Sequence, residues 1–142
     1  MPNPVTISRI AHIMSNLGIT LEMSQSHLGY AVANIEGINF SFGVLHNSMF
    51  IRGDKPLNPE LEKFSPQAYL TANTLNSHLA TVRVSIVEHE DISLIRIDKE
   101  AVIAAGLSDE QLLGLLSYSV TAIVQGFQYW NDLLPQFQQA TS

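Results

Sequence analysis

The segment Ile38-Asn39-Phe40-Ser41-Phe42-Gly43-Val44 decides the fold. Apolar side chains occupy every second position, with Asn39, Ser41 and Gly43 between them. Successive side chains of a strand point to opposite faces, so this spacing predicts a strand and not a helix. Just upstream, Glu36-Gly37 reads as a tight turn, preceded by the alternation of Leu28, Tyr30 and Val32 and, earlier, of Ile19, Leu21 and Met23. Downstream, His46-Asn47-Ser48 reads as a turn into a short run at positions 49–52. Together these predict a meander of antiparallel strands.

Helical patterns bracket the meander. Asn3-Pro4 reads as an N-cap followed by proline at the first helical position. Ile7, Ile10, Ala11, Met14 and Leu17 then recur at helical spacing, and Gly18 suits the position just past the end. Positions 53–65, with Pro56, Pro59, Asp54, Lys55, Glu60 and Glu62, read as a surface connection. Ser65-Pro66 opens a second helix whose narrow stripe is Ala68, Ala72, Leu75 and Leu79. A second hairpin follows: Val82, Val84 and Ile86, the acidic turn Glu88-His89-Glu90-Asp91, then Ser93, Ile95 and Ile97. Positions 101–107 read as a linking turn. Ser108 with Gln111 matches a capping box, and Asp109 and Glu110 suit the positive end of a helix dipole. The last helix is expected to run to about position 131 and stop before Pro135, leaving 137–142 as a frayed tail. The predicted order is α-β-β-β-α-β-β-α in one domain, 1–142. That is an α+β fold with an antiparallel sheet of about five strands and three helices.

Composition narrows the function. The chain has 142 residues, a net charge of −6, no cysteine, and only 14% charged residues. It can bury a full core, and it lacks the low hydrophobicity and high charge of a disordered chain. Disulfides and thiolate chemistry are excluded, and the acidic balance argues against nucleic-acid binding. No basic stretch with an apolar run opens the chain, so no secretory signal is predicted. Positions 111–131 carry no charge and match the roughly 20 residues of a bilayer span. Gln111, Ser117, Ser119, Thr121, Gln125, Gln128 and Asn131 interrupt that stretch, which therefore reads as a soluble helix.

No catalytic, cofactor or metal motif appears. The five histidines, His12, His27, His46, His78 and His89, form no i, i+4 pair. His89 among Glu88, Glu90 and Asp91 is the one tight cluster of candidate metal ligands, read as a solvated turn or a weak ion site. Phe40 and Phe42 could imitate a base-stacking platform, but the basic residues such a platform needs are missing, which favours core packing. Asn73 and Asn76 share a flank of the second helix beside Tyr69. They tie the helix to neighbouring backbone or form a polar binding spot.

The last helix is the most informative. Leu112, Leu116, Ile123, Phe127, Trp130 and Leu134 cluster on one face, widened by Leu113, Val120 and Val124 on one side and by Leu115, Tyr118 and Ala122 on the other. That arc is far broader than the roughly 100° stripe of an ordinary surface helix. Either the rest of the chain covers the excess, or Leu113, Val120, Val124, Phe127 and Trp130 form a self-association surface.

The motif Ala72-Asn73-Thr74-Leu75-Asn76, the segment Ala105-Gly106-Leu107-Ser108-Asp109-Glu110-Gln111-Leu112, and a final helix ending in Phe127 and Trp130 resemble the YbjN family of small bacterial proteins. That family is described as sensory transduction regulators, with a fold like that of type III secretion chaperones. The resemblance spans about positions 7–134. It implies a cytoplasmic, often dimeric protein that is not an enzyme, and it supplies no ligand or catalytic residue to carry over. The expected function is a regulatory or chaperone-like protein that binds another polypeptide, as a homodimer, without cofactor, nucleic acid or membrane. The alternative is a small-molecule-sensing module with a pocket between sheet and helices near Asn73 and Asn76.

Overall fold

The period-two run becomes a strand in the interior of a six-stranded antiparallel sheet. The computed structural model describes residues 3–26, 28–58, 61 and 65–140. His27, Pro59, Glu60, Glu62 and positions 141–142 lie outside the described residues. The elements are α1 (Ile7–Asn16), β1 (Glu22–Met23), β2 (Tyr30–Ile35), β3 (Ile38–Leu45), β4 (Ser48–Pro56), α2 (Pro66–His78), β5 (Arg83–Glu88), β6 (Ser93–Val102) and α3 (Asp109–Ala140). Across the sheet the order is β1-β2-β3-β4-β6-β5, antiparallel throughout. The sheet thus has six strands, not five, with four of them preceding α2.

Local chemistry explains most boundaries. Glu36 and Gly37 both adopt positive φ, 52° and 81°, the geometry that joins two strands by a two-residue turn. The capping box forms as expected: the Ser108 N–H donates to Gln111 Oε1 at 2.9 Å, and the Gln111 N–H to Ser108 Oγ at 3.1 Å.

Several boundaries differ from the sequence reading, among them that of β6, which runs on through Ala101 and Val102 into the stretch read as a linking turn. α1 is capped by Thr6, whose Oγ1 accepts from the Arg9 N–H at 3.2 Å, and not by Asn3. Asn3 instead pairs with Leu107 as an isolated β-bridge. The Arg9 guanidinium holds this junction, donating to the carbonyls of Asn3, Pro4 and Leu107 and to Asp109 Oδ1 at 2.8–2.9 Å. β4 runs on through Gly53, Asp54 and Lys55 to Pro56, because β3 and β6 flank it and satisfy its backbone on both sides. α3 continues through Pro135 to Ala140 instead of stopping near Asn131. Proline removes one helical hydrogen bond, but Trp130 and Leu134 in the turn before it are buried and Phe137 and Gln138 after it are half-buried, and this packing holds the helix. So the positions 137–140 assigned to a frayed tail are helical.

All three helices pack on one side of the sheet, α1 against β2 and β3, α3 against β4 and β6, and α2 against β5. Ile38, Phe40, Phe42, Ile51 and Ile97 from the strands meet Leu112, Leu116, Ile123 and Leu134 from α3 in one buried core. α3 approaches closely at Gly53, where a Cβ would stand 2.7 Å from Ile123 Cγ2. Among the described residues, no helix is long and apolar enough to cross a membrane.

Candidate functional site

The residues singled out from sequence do not converge. Asn76 is engaged as one of the two readings required: its Nδ2 donates to the Val84 carbonyl at 2.7 Å and its Oδ1 accepts from the Val84 N–H at 2.7 Å. The amide thus imitates one rung of a β-ladder and closes part of the outer edge of β5. Asn73 stays exposed on the same helix. Tyr69 also faces β5, donating from its hydroxyl to Glu88 Oε1 at 3.2 Å. Burial, reinforced by the hydrogen bond to Glu88 and by its charge, raises the Tyr69 phenol above its ordinary range. Glu88 accepts from Ser93 as well, so this carboxylate of the acidic turn ties a helix to a hairpin. Phe40 and Phe42 stack at 6.1 Å inside the core.

The self-association face of α3 needs correcting. Phe127 and Trp130 are only 4% and 1% exposed, packed within the chain. Val120 and Val124 are half-buried against the same core. Of that set Leu113 alone is exposed, joined on α3 by Tyr118 and Tyr129. The sheet together with α1 and α2 covers most of the arc, because each flanking helix packs beside α3.

The other face of the sheet holds a constellation that the sequence reading missed. Antiparallel pairing lays its side chains out in rows. Glu22, Val32, Ser41, Arg52, Asp98 and Arg83 form one row, and Asn34, Asn39, Asp54, Arg96 and Ser85 the next. Charges therefore alternate across strands and along them. Arg83 clasps Asp98 with two hydrogen bonds, at 3.1 and 2.9 Å, and Arg96 clasps Asp54 likewise at 2.8 and 3.0 Å. Hydrogen bonding to these carboxylates raises the pKa of both guanidinium groups. Asp98 is only 6% exposed, on a face that no helix covers among the described residues.

Arg52 differs from its neighbours. Its Nε lies 4.0 Å from Asp98 Oδ2, within ion-pair range but beyond a hydrogen bond, and is shut off from solvent without a partner. Its guanidinium carbon stacks 4.7 Å above the Phe50 ring. The Phe50 ring lies over Gly43, where a Cβ would come within 2.2 Å of it, and stands 6.1 Å from the Tyr30 ring. Tyr30 donates to Ser41 at 2.8 Å. One row beyond Phe50, the aligned positions are Leu45, Ser48 and Val102. Leu45 is 63% exposed and Val102 80%, large values for aliphatic side chains in strands.

One signal in the sequence pointed here: Arg52-Gly53-Asp54 and Arg96-Ile97-Asp98 are the same Arg-x-Asp pattern on two strands. Antiparallel pairing sets Arg52 opposite Asp98 and Asp54 opposite Arg96. A slip of two residues preserves the buried face but sets either arginine against arginine or aspartate against aspartate. The pattern thus fixes the register that hydrophobic alternation leaves open.

The structure superposes on the crystal structure of YbjN from E. coli with a TM-score of 0.77, over 93% of this chain and 96% of that one. The chain has a YbjN-like fold. Sequence identity to YbjN is 12%, so the likeness is one of architecture. No family model matches the chain, and no curated protein matches it in sequence. YbjN is described as a proposed transcription regulator.

Proposed function

We propose that this is a regulatory or chaperone-like protein, without catalysis of its own, that acts in the cytoplasm as a homodimer by binding another polypeptide. The observation that carries the reading is the open sheet face, where exposed Leu45 and Val102 adjoin Phe50, Tyr30 and Arg52. Aromatic side chains and arginine are the residues that protein interfaces concentrate at their centres. The description of YbjN as a proposed transcription regulator supports a regulatory role. A net charge of −6 favours regulation through protein contacts over contacts with phosphate backbone. The exposed flank of α3 that carries Tyr118 and Tyr129 is where a second copy would pack. Sedimentation should give twice the 15.7 kDa chain mass at tens of micromolar, and a monomer there removes the homodimer. Affinity capture from its own cell extract should return a specific polypeptide, and repeated failure to do so removes the binding role.

A second reading has one observation behind it. A groove of about 440 Å3 runs between α2 and α3, lined by Leu75, Leu79, Tyr129 and Leu133 with Thr74, His78, Asp132 and Gln136. Its size and apolar lining suit a small ligand. It lies beside the Asn73–Asn76 flank without using either residue. A thermal-shift screen should find stabilising compounds whose affinity falls in Leu79→Glu, and unchanged affinity in that variant rejects the groove.

A further inference from the structure

We propose that the open sheet face binds one kind of occupant: a polypeptide segment with aliphatic side chains at one end and a carboxylate at the other, the carboxylate seated on Arg52. This rests on the polypeptide-binding reading and names the partner chemistry.

Three observations converge on Arg52. First, the two aspartates of the face are already clasped, Asp98 by Arg83 and Asp54 by Arg96, each through two hydrogen bonds. Arg52 makes no hydrogen bond to any described residue, and only its Nε is closed to solvent, so its terminal nitrogens reach water with their donors unused. A planar guanidinium with free donors is matched by a carboxylate, which can accept two parallel bonds. Second, Phe50 beneath it and Asp98 beside it hold the group in place before any ligand arrives, which reduces the ordering cost of binding. Third, Leu45 and Val102 lie four residues along the strands from the Arg52 row, roughly 13 Å at strand rise, with Phe50 and Tyr30 between. A segment crossing that distance would cover the aliphatic pair, pass over the rings and end at the guanidinium.

The charges facing Arg52 do not argue for a polycation or a polyanion. On the same face Arg52, Arg83 and Arg96 meet Asp54, Asp98, Glu100 and Glu22, the last at the far end of the Arg52 row, which leaves one negative charge in excess. Recognition is therefore by placed donors and apolar contact, not by net field, and a segment that is only acidic meets no attraction from the chain's overall charge of −6.

The test uses the full chain and three labelled peptides of equal length. One has four aliphatic residues followed by four aspartates. In the second, lysines replace the aspartates. In the third, serines replace the aliphatic residues. Fluorescence anisotropy should show the first binding about tenfold or more tightly than either control, the scale of one charge-assisted hydrogen-bonded pair or one buried aliphatic patch. Arg52→Gln and, separately, Leu45→Ser with Val102→Ser should each weaken the first peptide about tenfold, with melting curves confirming that the variants fold. Equal binding of the lysine peptide, or unchanged binding in Arg52→Gln, overturns the carboxylate site. Binding unaffected by every variant leaves polypeptide binding standing and places it elsewhere. No binding by any peptide also overturns this proposal, while the capture experiment decides the broader reading separately. If the Leu45→Ser, Val102→Ser variant instead halves the mass in sedimentation, the occupant is a second copy and the proposal fails.

Discussion

The two faces of the sheet are built from the same strands under opposite rules. On the helix side, β3 contributes Ile38, Phe40 and Phe42, and neighbouring strands add Ile51 and Ile97, all closed over by α3. On the other side the same strands contribute Ser41, Arg52, Asp54, Arg96 and Asp98. The inner face is held by shape, where volume errors are costly. The outer face is held by charge order, where pairing errors are costly. The contrast shows why the second face is the functional candidate: the first has no surface left to offer.

The comparison breaks most sharply at Trp130. If it belongs to the inner packing, Trp130→Ala should cost about 3–5 kcal/mol in denaturant unfolding. Tyr118→Ala, on the exposed side of the same helix, should stay within about 0.5 kcal/mol. A Trp130→Ala variant that keeps its stability but changes its mass would reverse the assignment.

A matched pair of glycines sharpens the contrast. Gly53→Ala meets Ile123, Ile38 and Phe127 between packed layers, so it should cost about 1–3 kcal/mol. Gly43→Ala first meets the Phe50 ring, which is half-buried on the open face and can swing outward. Its cost should be smaller, measured by the same unfolding curves, and equal costs would mean the outer face is packed as tightly as the inner.

The charge rows give a smaller effect. Asp98→Asn takes the carboxylate from both Arg83 and Arg52 and should cost about 1–2 kcal/mol, since Arg83 is well exposed and water screens its share. Asp54→Asn should cost less, because it releases Arg96 alone. Thermal melts at low and high salt check both, and a larger loss in Asp54→Asn would contradict the shared role of Asp98.

The smallest effect concerns the edge of the sheet. Folding raises the Tyr69 pKa, so its contribution is complete below the unfolded phenol value of about 10 and is lost as pH rises through the folded value. The stability difference between the wild type and Tyr69→Phe should therefore shrink in alkaline melts above about pH 10. A difference that stays constant through that range would show that the Glu88 contact contributes nothing.

Much of the inner face was legible because burial imposes a period. Positions 38–44 alternate, the Ala68, Ala72 and Leu75 stripe recurs at helical spacing, and Ser108 with Gln111 marks a helix start; each is a local rule with a local cause. The candidate site was legible only as a repeated Arg-x-Asp pattern, because what assembles it is pairing between strands distant in sequence. Arg52 and Asp98 are separated along the chain, and only the β4–β6 register makes them neighbours. Asn76 illustrates the middle case. Its unusual place on a helix was visible, but Val84 as its partner was not.

By itself, then, the sequence determined the element types, their order and the antiparallel class, because periodicity and capping act over a few residues. Tertiary structure decided the rest. It carried α3 through Pro135, since burial of Trp130 and Leu134 outweighs one missing hydrogen bond. It buried Phe127 and Trp130 within the chain, since α1 and α2 flank α3 and the sheet closes beneath it. And it gathered three of the four arginines onto one uncovered face, since strand pairing sets distant residues side by side.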